Sequence, residues 1–192
     1  RGGLDEWVNA VSEVVHLRGL RDLILVGHGV TAPVVLQAGA LLETPPKRVV
    51  TFAGVIPKEG RVPLSVFPIS VRLGFNILNL MNGVMRKEMR MPKAFVSHFL
   101  CNDMHPFDVI QMMGWFSSIP VGLLRSRVSL DTLRGMFPVT YVVLWRDHLL
   151  GPELQRTMAA RLGEVEMVEF NSCHQVAIEK PKEIAELLLS YA

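Results

Sequence analysis

The chain has 192 residues with a net charge of +2, and 49% of them are hydrophobic, which is enough to bury the core of one domain. Its twenty Lys and Arg residues are scattered rather than gathered into a basic stripe, which argues against a nucleic-acid partner. No apolar run reaches the roughly eighteen residues of a membrane span. The two cysteines indicate neither a disulfide framework nor a metal site. We therefore expect a soluble, cytoplasmic protein without membrane contact, metal or cofactor.

The first quarter of the chain predicts a strand, a helix and a second strand behind a leading helix. Apolar residues recur at helical spacing over 4–17, and a short buried strand follows over 23–26. After a glycine-containing turn, residues 30–42 predict a helix that holds Pro33 in its first turn, where proline is tolerated. Residues 48–56 are β-branched and apolar and predict a strand. This order and spacing are typical of a parallel βαβ unit.

The pattern changes over residues 62–138 to short helical stretches separated by prolines, which predict a helical lid or insertion. Strands over 139–145 and 165–170, with helices over 152–162 and 181–191, then resume the alternation. We expect one α/β domain over residues 1–192, with a mostly parallel sheet and flanking helices. Methionines of the insertion fill the core or line a pocket for an apolar ligand, with helical spacing alone favouring the core. The pocket candidates are Met81, Met85 and Met112.

Three polar motifs directly follow predicted strands. They are the turn at residues 27–31, the acid Asp147 and the base His174. Ligands bind to open parallel sheets at the carboxyl ends of the strands, so these motifs are expected to meet at one edge. Histidine, with an ordinary pKa near 6.5, is suited to taking and returning a proton near neutral pH.

The turn resembles the nucleophile elbow of α/β-hydrolases, Gly-x-Ser-x-Gly, in which the serine lies on a sharp strand-to-helix turn. Gly27 and His28 fit the pattern, Gly29 stands at the serine position, and Thr31 replaces the last small residue. Glycine offers no nucleophile, but it tolerates the strained backbone of that position. The resemblance also implies that the backbone N–H of Val30 is an oxyanion donor.

The acid and histidine motifs resemble the remaining two parts of the same family's triad and follow the elbow in the family's order. His174 is followed by the Glu-x-Pro signature of the histidine loop at residues 179–181. The resemblance implies that His174 is the general base and that Asp147 orients it. Pro152 follows Asp147 by five residues instead of the usual four, which leaves His148 as a competing alignment.

Other side chains near these motifs have alternative interpretations. His28 is expected to be a structural hydrogen-bonding residue that borders the substrate. Cys173 is next to His174, but adjacent residues of an extended segment point apart, so it is expected to pack in the core. Cys101 and His98 are candidates to face the same pocket as the methionines.

The resemblance covers nearly the whole chain and is strongest to the esterase and hydroxynitrile-lyase-like branch of the family. It implies the C-terminal part of that fold, without its N-terminal strands and second oxyanion donor. It also implies a relative of carboxylester hydrolases that takes an apolar small molecule or ester and is inactive as a serine hydrolase. Two alternatives are a His174–Asp147 dyad that abstracts protons, as in lyases or cofactor-free oxygenases, and a non-catalytic binding module. Strand 23–26 is expected to be an exposed edge that associates with another copy or with the missing N-terminal segment.

Overall fold

The computed structural model describes residues 2–84, 91–116 and 121–192, with the side chains of 81–84 excepted. A four-stranded parallel sheet in the order β1-β2-β3-β4 forms its centre. The strands are β1 (Ile24–His28), β2 (Arg48–Phe52), β3 (Val139–Leu144) and β4 (Glu166–Phe170). The two central strands are almost entirely buried, as expected for parallel strands covered on both faces. The predicted α/β class is confirmed.

Helices connect and cover the strands. In the described residues they are α1 (Leu4–Leu17), α2 (Ala32–Leu41), α3 (Ile69–Val84), α4 (Lys93–Phe95), α5 (Pro106–Trp115), α6 (Val121–Arg125), α7 (Pro152–Ala159), α8 (Val176–Glu179) and α9 (Pro181–Leu189). Helix α2 packs on α1, β1 and β2, and α7 packs on β3. Helices α3 to α6 all lie between β2 and β3, where the sequence predicts a helical insertion. None of the helices in the described ranges is long and apolar enough to cross a membrane.

Several element ends differ from the expectation for local backbone reasons. Strand β1 is longer at its carboxyl end, because His28 still pairs with Phe52 of β2. Strand β2 stops four residues early, since Ala53 has a φ of 43° and turns the chain out of the sheet. The helix expected from residue 30 begins at Ala32, because Gly29–Thr31 form a 3₁₀ turn first. These differences concentrate at the carboxyl edge of the sheet.

Strand β1 lies at one edge of the sheet and β4 at the other. Within the described residues β1 pairs only with β2, and the side chain of Val26 is 43% exposed. Met167 of β4 is 55% exposed. Within the described residues, β4 likewise pairs with one strand only, β3.

Candidate active site

The turn after β1 has the backbone geometry of an elbow. Gly29 follows the last strand residue with a φ of +54°, a conformation that favours glycine. Gly27 is closely surrounded, because a Cβ there would lie 2.6 Å from Cγ2 of Val35 and 3.0 Å from Cα of Ala32. The strand therefore meets α2 at a distance that a larger residue at position 27 would prevent.

Thr31 stabilises this turn in a way that the sequence motif does not indicate. Its Oγ1 accepts a hydrogen bond from the backbone N–H of His28 and donates one to the carbonyl of His28, both at 2.9 Å. A residue larger than the usual glycine is thus accommodated by bonding back to the turn.

Val30 directly follows Gly29 and lies in the first turn of the helical segment, where its N–H has no intrahelical acceptor.

Removing the Thr31 hydroxyl is expected to destabilise the fold. Thr31→Val keeps the shape of the side chain but leaves the His28 N–H and carbonyl without their partner, at a cost of about 1–3 kcal/mol. Urea unfolding measures the change, and Thr31→Ser, which keeps the hydroxyl, is the matched control. Equal losses in the two variants would show that packing of the methyl group, rather than the hydrogen bonds, is what matters.

Asp147 and His174 form a buried hydrogen-bonded pair. Nδ1 of His174 donates to Oδ2 of Asp147 at 2.7 Å, and the two residues are only 7% and 3% exposed. The other carboxylate oxygen accepts from the backbone N–H groups of Leu149 and Leu150 at 2.8 and 2.9 Å. The competing residue His148 is directed instead towards the ring of His98, 6.0 Å away between centroids. Of these two residues, Asp147 is therefore the one that is hydrogen-bonded to His174.

The imidazole of His174 faces Gly29. A Cβ built on Gly29 would lie 3.3 Å from Nε2 and 3.5 Å from Cε1 of His174. Because Nδ1 carries the proton that Asp147 accepts, Nε2 presents a lone pair to the elbow. The three positions that the sequence singles out, Gly29, Asp147 and His174, are thus brought together.

Two loops that carry the pair are tied to each other through Glu179. Its carboxylate accepts from the backbone N–H of Cys173 and from Oγ of Ser172, both at 2.8 Å, and forms an ion pair with Arg146. Burial raises the pKa of Glu179, but these donors more than offset it and hold the pKa below its ordinary value. The sequence motif places Glu179 at the right offset, whereas Arg146 carries no signal of its own. This network fixes the backbone on which His174 is mounted.

His28 supports His174 from the other side. Its Nε2–H donates to the carbonyl of His174 at 2.8 Å, and the two ring centroids are 4.6 Å apart. Burial, together with the neighbouring His174 ring, lowers the pKa of His28 from 6.5 to about 3. At neutral pH His28 is therefore uncharged, with its donor committed to the histidine loop.

Acid is expected to destabilise the protein through His28. Because the pKa is lower in the folded state, the unfolded chain binds the proton more readily. The stabilising contribution is complete above pH 6.5 and decreases as the pH falls towards 3. The free energy of unfolding decreases by at most about 1.4 kcal/mol per pH unit. The actual decrease is smaller, because His28 is only partly buried and solvent screens its charge. His28→Gln keeps a donor for the carbonyl and does not titrate. Urea unfolding of the two proteins at pH 7.5, 6 and 5 tests this. As the pH falls, the unaltered protein should lose more stability than the variant. An equal loss in both proteins would contradict a lowered pKa of His28.

A cavity of about 440 Å³ opens beside Gly29 and His174. Its described lining residues include no Asp, Glu, Lys or Arg. Most of the wall is apolar and aromatic and comes from the helical segment between β2 and β3, with contributions from Leu64, Phe67, Val71, Phe75, Met91, Phe95, Leu100, Met112, Trp115, Phe116 and Leu124. The elbow and histidine loop contribute His28, Gly29, Val30, His174, Gln175 and Ile178.

The structure places the pocket candidates differently. Met112 is buried and lines the cavity, while Met85 and the side chain of Met81 lie outside the described residues. The expectation that Cys101 and His98 face this cavity is wrong, since neither is among its lining residues. Cys101 instead packs with the neighbouring buried cysteine of the histidine loop in a small apolar cluster that encloses both.

The thiol beside the Asp147–His174 pair is Cys173, and its surroundings do not favour reactivity. Cys173 is fully buried, and burial raises the pKa of its thiol to about 12. A thiolate is the reactive form of cysteine, so this group is inert at neutral pH. Packing is therefore the role that its surroundings support. In the described ranges, no group of three or more His, Cys, Asp and Glu side chains is arranged to hold a metal ion.

Comparison with known proteins finds similar solved structures but no match to the sequence. No family model matches the chain, and no curated protein is detectably similar to it. An extracellular α/β-hydrolase from a Paenibacillus species, described as sharing structural and functional homology with tobacco salicylic acid binding protein 2, has a TM-score of 0.89 and 19% identity. The match covers 100% of this chain and 80% of that one. A hydrolase from Oleispira antarctica has a TM-score of 0.74 at 15% identity, covering 98% and 71%.

A thermophilic esterase from Thermogutta terrifontis is also similar, with a TM-score of 0.73 at 15% identity over 99% of this chain and 72% of that one. These structures share the parallel sheet and its covering helices with the present chain. The protein therefore has the α/β-hydrolase fold. Within that fold, the similar structures include esterases, and the predicted resemblance to an esterase-like member is confirmed at the level of fold.

Proposed function

We propose that this protein is related to carboxylester hydrolases and binds an apolar small molecule without hydrolysing esters through a serine nucleophile. The observation that carries the proposal is the residue at the elbow. Gly29 has the backbone conformation of the nucleophile position and lies beside His174, but it has no side chain. Loss of the nucleophile from a complete triad typically lowers kcat by about 10⁶, so esterase turnover by that route falls to background.

The remaining parts of the site support ligand binding. The cavity beside Gly29 has the size of a small-molecule site and an apolar wall with a few polar groups at one end. Most of that wall belongs to residues 62–138, which we propose act as a lid over the ligand. His174 lines this cavity together with the elbow residues, and the buried Asp147 is hydrogen-bonded to the far side of its ring.

A second candidate function is proton abstraction by the His174–Asp147 dyad. The specific observation in its favour is the tautomer: the hydrogen bond from Nδ1 to Asp147 leaves Nε2 as the free basic atom beside the cavity. A bound molecule with an acidic proton near Nε2 could transfer it to His174, and the buried carboxylate would stabilise the imidazolium that forms. This chemistry needs no serine.

The proposal is tested with the purified chain and its His174→Ala variant. We expect no turnover of 4-nitrophenyl acetate above the level of the variant and no labelling by a fluorophosphonate, which reacts with activated serines. A library of apolar esters, alcohols and phenols should give ligand-dependent thermal shifts in the unaltered protein. Ester turnover that depends on His174 would contradict the proposed lack of esterase activity. Consumption of a bound ligand that depends on His174 without ester hydrolysis would favour the dyad.

We also propose that the β1 edge is an association surface, because β1 pairs on one side only within the described residues and Val26 is 43% exposed. A lysine on an edge strand opposes pairing with another strand. Val26→Lys is therefore expected to increase the monomer fraction in sedimentation velocity at micromolar concentration. Met167→Lys on the opposite edge is the matched control and should leave association unchanged. A monomeric unaltered protein would overturn this proposal.

A further inference from the structure

We infer that the cavity selects uncharged, flat aromatic molecules that carry a hydroxyl group, and that this hydroxyl lies beside Gly29 and donates a hydrogen bond to Nε2 of His174. The inference rests on the proposed function and names the class of ligand that the binding site takes. The cavity should therefore bind phenols and aromatic alcohols more tightly than esters and ethers of the same shape.

Nε2 of His174 is open to a hydrogen bond from a ligand. Nδ1 donates to Asp147, and the carbonyl of His174 accepts from His28, whereas no side chain in the described part of the chain donates to Nε2. The space beside Nε2 borders Gly29, where a Cβ would be 3.3 Å away. Water in the cavity can donate to Nε2 in the free protein. A ligand that displaces this water without supplying a donor leaves Nε2 unsatisfied, at a cost of about 1–3 kcal/mol, so a ligand with a donor is favoured.

The cavity wall favours a ligand without a net charge. No Asp, Glu, Lys or Arg side chain is found among the described residues of the cavity wall, and His28 is neutral because burial depresses its pKa. An ammonium group would therefore lose its water without gaining a carboxylate partner, and a carboxylate would find no Lys or Arg side chain among these residues. Ester and ether oxygens accept hydrogen bonds but cannot donate one. A neutral hydroxyl is the donor that these surroundings accommodate.

The cavity wall also favours a ligand with a flat aromatic body. Five aromatic side chains from the helical segment surround the cavity, namely Phe67, Phe75, Phe95, Trp115 and Phe116. Aromatic walls favour flat aromatic ligands through offset and edge-to-face contacts. A cavity of about 440 Å³ accommodates a ring system of one or two rings.

The experiment compares three probes with one ring system: 2-naphthol, 2-methoxynaphthalene and naphthalene. Isothermal titration calorimetry at pH 7.5 with the unaltered protein measures their dissociation constants. We expect 2-naphthol to bind about tenfold more tightly than 2-methoxynaphthalene, since a single hydrogen bond contributes about a factor of ten. It should also bind more tightly than naphthalene. The hydroxyl of 2-naphthol loses its water on binding, so naphthalene would bind more tightly if the site supplied no acceptor. Comparison of 2-naphthol with naphthalene therefore distinguishes a hydrogen bond from a preference for ligand size.

Three variants locate the effect. Gly29→Ser supplies a donor from the protein, and Gly29→Ala fills the space without one, so both are expected to reduce the preference for 2-naphthol to less than about twofold. Gly19→Ala is the control for backbone strain, because Gly19 has a φ of +58° and a Cβ added there would meet nothing within 4 Å. It should keep the full preference.

The outcomes separate the inference from the function on which it rests. Equal affinity for 2-naphthol and 2-methoxynaphthalene in the unaltered protein would overturn the inference alone. Retention of the full preference in Gly29→Ser and Gly29→Ala would also overturn it, since the hydroxyl would then lie elsewhere. Failure of all three probes to bind would overturn the binding function itself.

Discussion

Gly29→Ser is expected to convert the protein into an esterase with a rate about 10³-fold above that of the unaltered chain. A serine at this position places its side chain beside Nε2 of His174, because a Cβ there lies 3.3 Å from that atom. A complete triad contributes about 10⁶ to kcat. The described chain offers the N–H of Val30 as oxyanion donor, and absence of a second donor lowers the rate by about 10²–10³.

Turnover of 4-nitrophenyl acetate and labelling by a fluorophosphonate measure this gain. Adding His174→Ala to the Gly29→Ser protein is expected to return both to the level of the unaltered chain, and adding Asp147→Asn should do the same because it favours the wrong tautomer of His174. Equal rates for Gly29→Ser with and without His174 would show that no triad forms. Circular dichroism of each variant establishes that the fold is retained.

Alanine at two glycines is expected to change stability in opposite directions. At Gly27 a Cβ would lie 2.6 Å from Cγ2 of Val35 and 3.0 Å from the backbone of Ala32, so Gly27→Ala forces β1 away from α2. We expect a loss of about 1–3 kcal/mol in the free energy of unfolding, as for other overpacked sites. At Gly74, inside α3, a Cβ meets nothing within 4 Å, and Gly74→Ala should stabilise the helix by about 0.5–1 kcal/mol.

Urea unfolding of the two variants at pH 7.5 tests this contrast. Gly27→Ala should also weaken binding of aromatic probes, because it displaces the turn that carries Gly29. Gly74→Ala should leave binding unchanged. A neutral or stabilising effect of Gly27→Ala would mean that the elbow tolerates a larger residue, and that close packing is not the reason for glycine at position 27.

Local patterns in the sequence predict the elements that position the site. The helix over 4–17 is observed with the same bounds, because its amphipathic spacing and Gly19 are local signals. Asp147 and His174 lie next to each other because each comes shortly after a strand, and the carboxyl ends of parallel strands share one edge of the sheet. The offset to Glu179 is also a local signal.

Contacts between distant residues could not be predicted in this way. The hydrogen bond from His28 to the carbonyl of His174 joins residues 146 positions apart, and nothing in either motif specifies it. Thr31 departs from the family pattern, and only the structure shows that its hydroxyl stabilises the turn. Gln155 is fully buried and donates to the carbonyls of Leu144 and Leu150, although an isolated glutamine in a helix predicts a solvent-exposed side chain.

The insertion of the helical segment between β2 and β3 also affects how the protein folds. Each outer pair of strands, β1 with β2 and β3 with β4, joins segments that are near in sequence, whereas pairing of Phe52 with Val142 closes a loop of about ninety residues. Contacts of such long range are formed late and slowly. Gly29 follows the first pair, and Asp147 and His174 follow the second, so the two halves of the site come together only when this central pairing is made. Acquisition of ligand binding during refolding therefore reports the closing of the sheet.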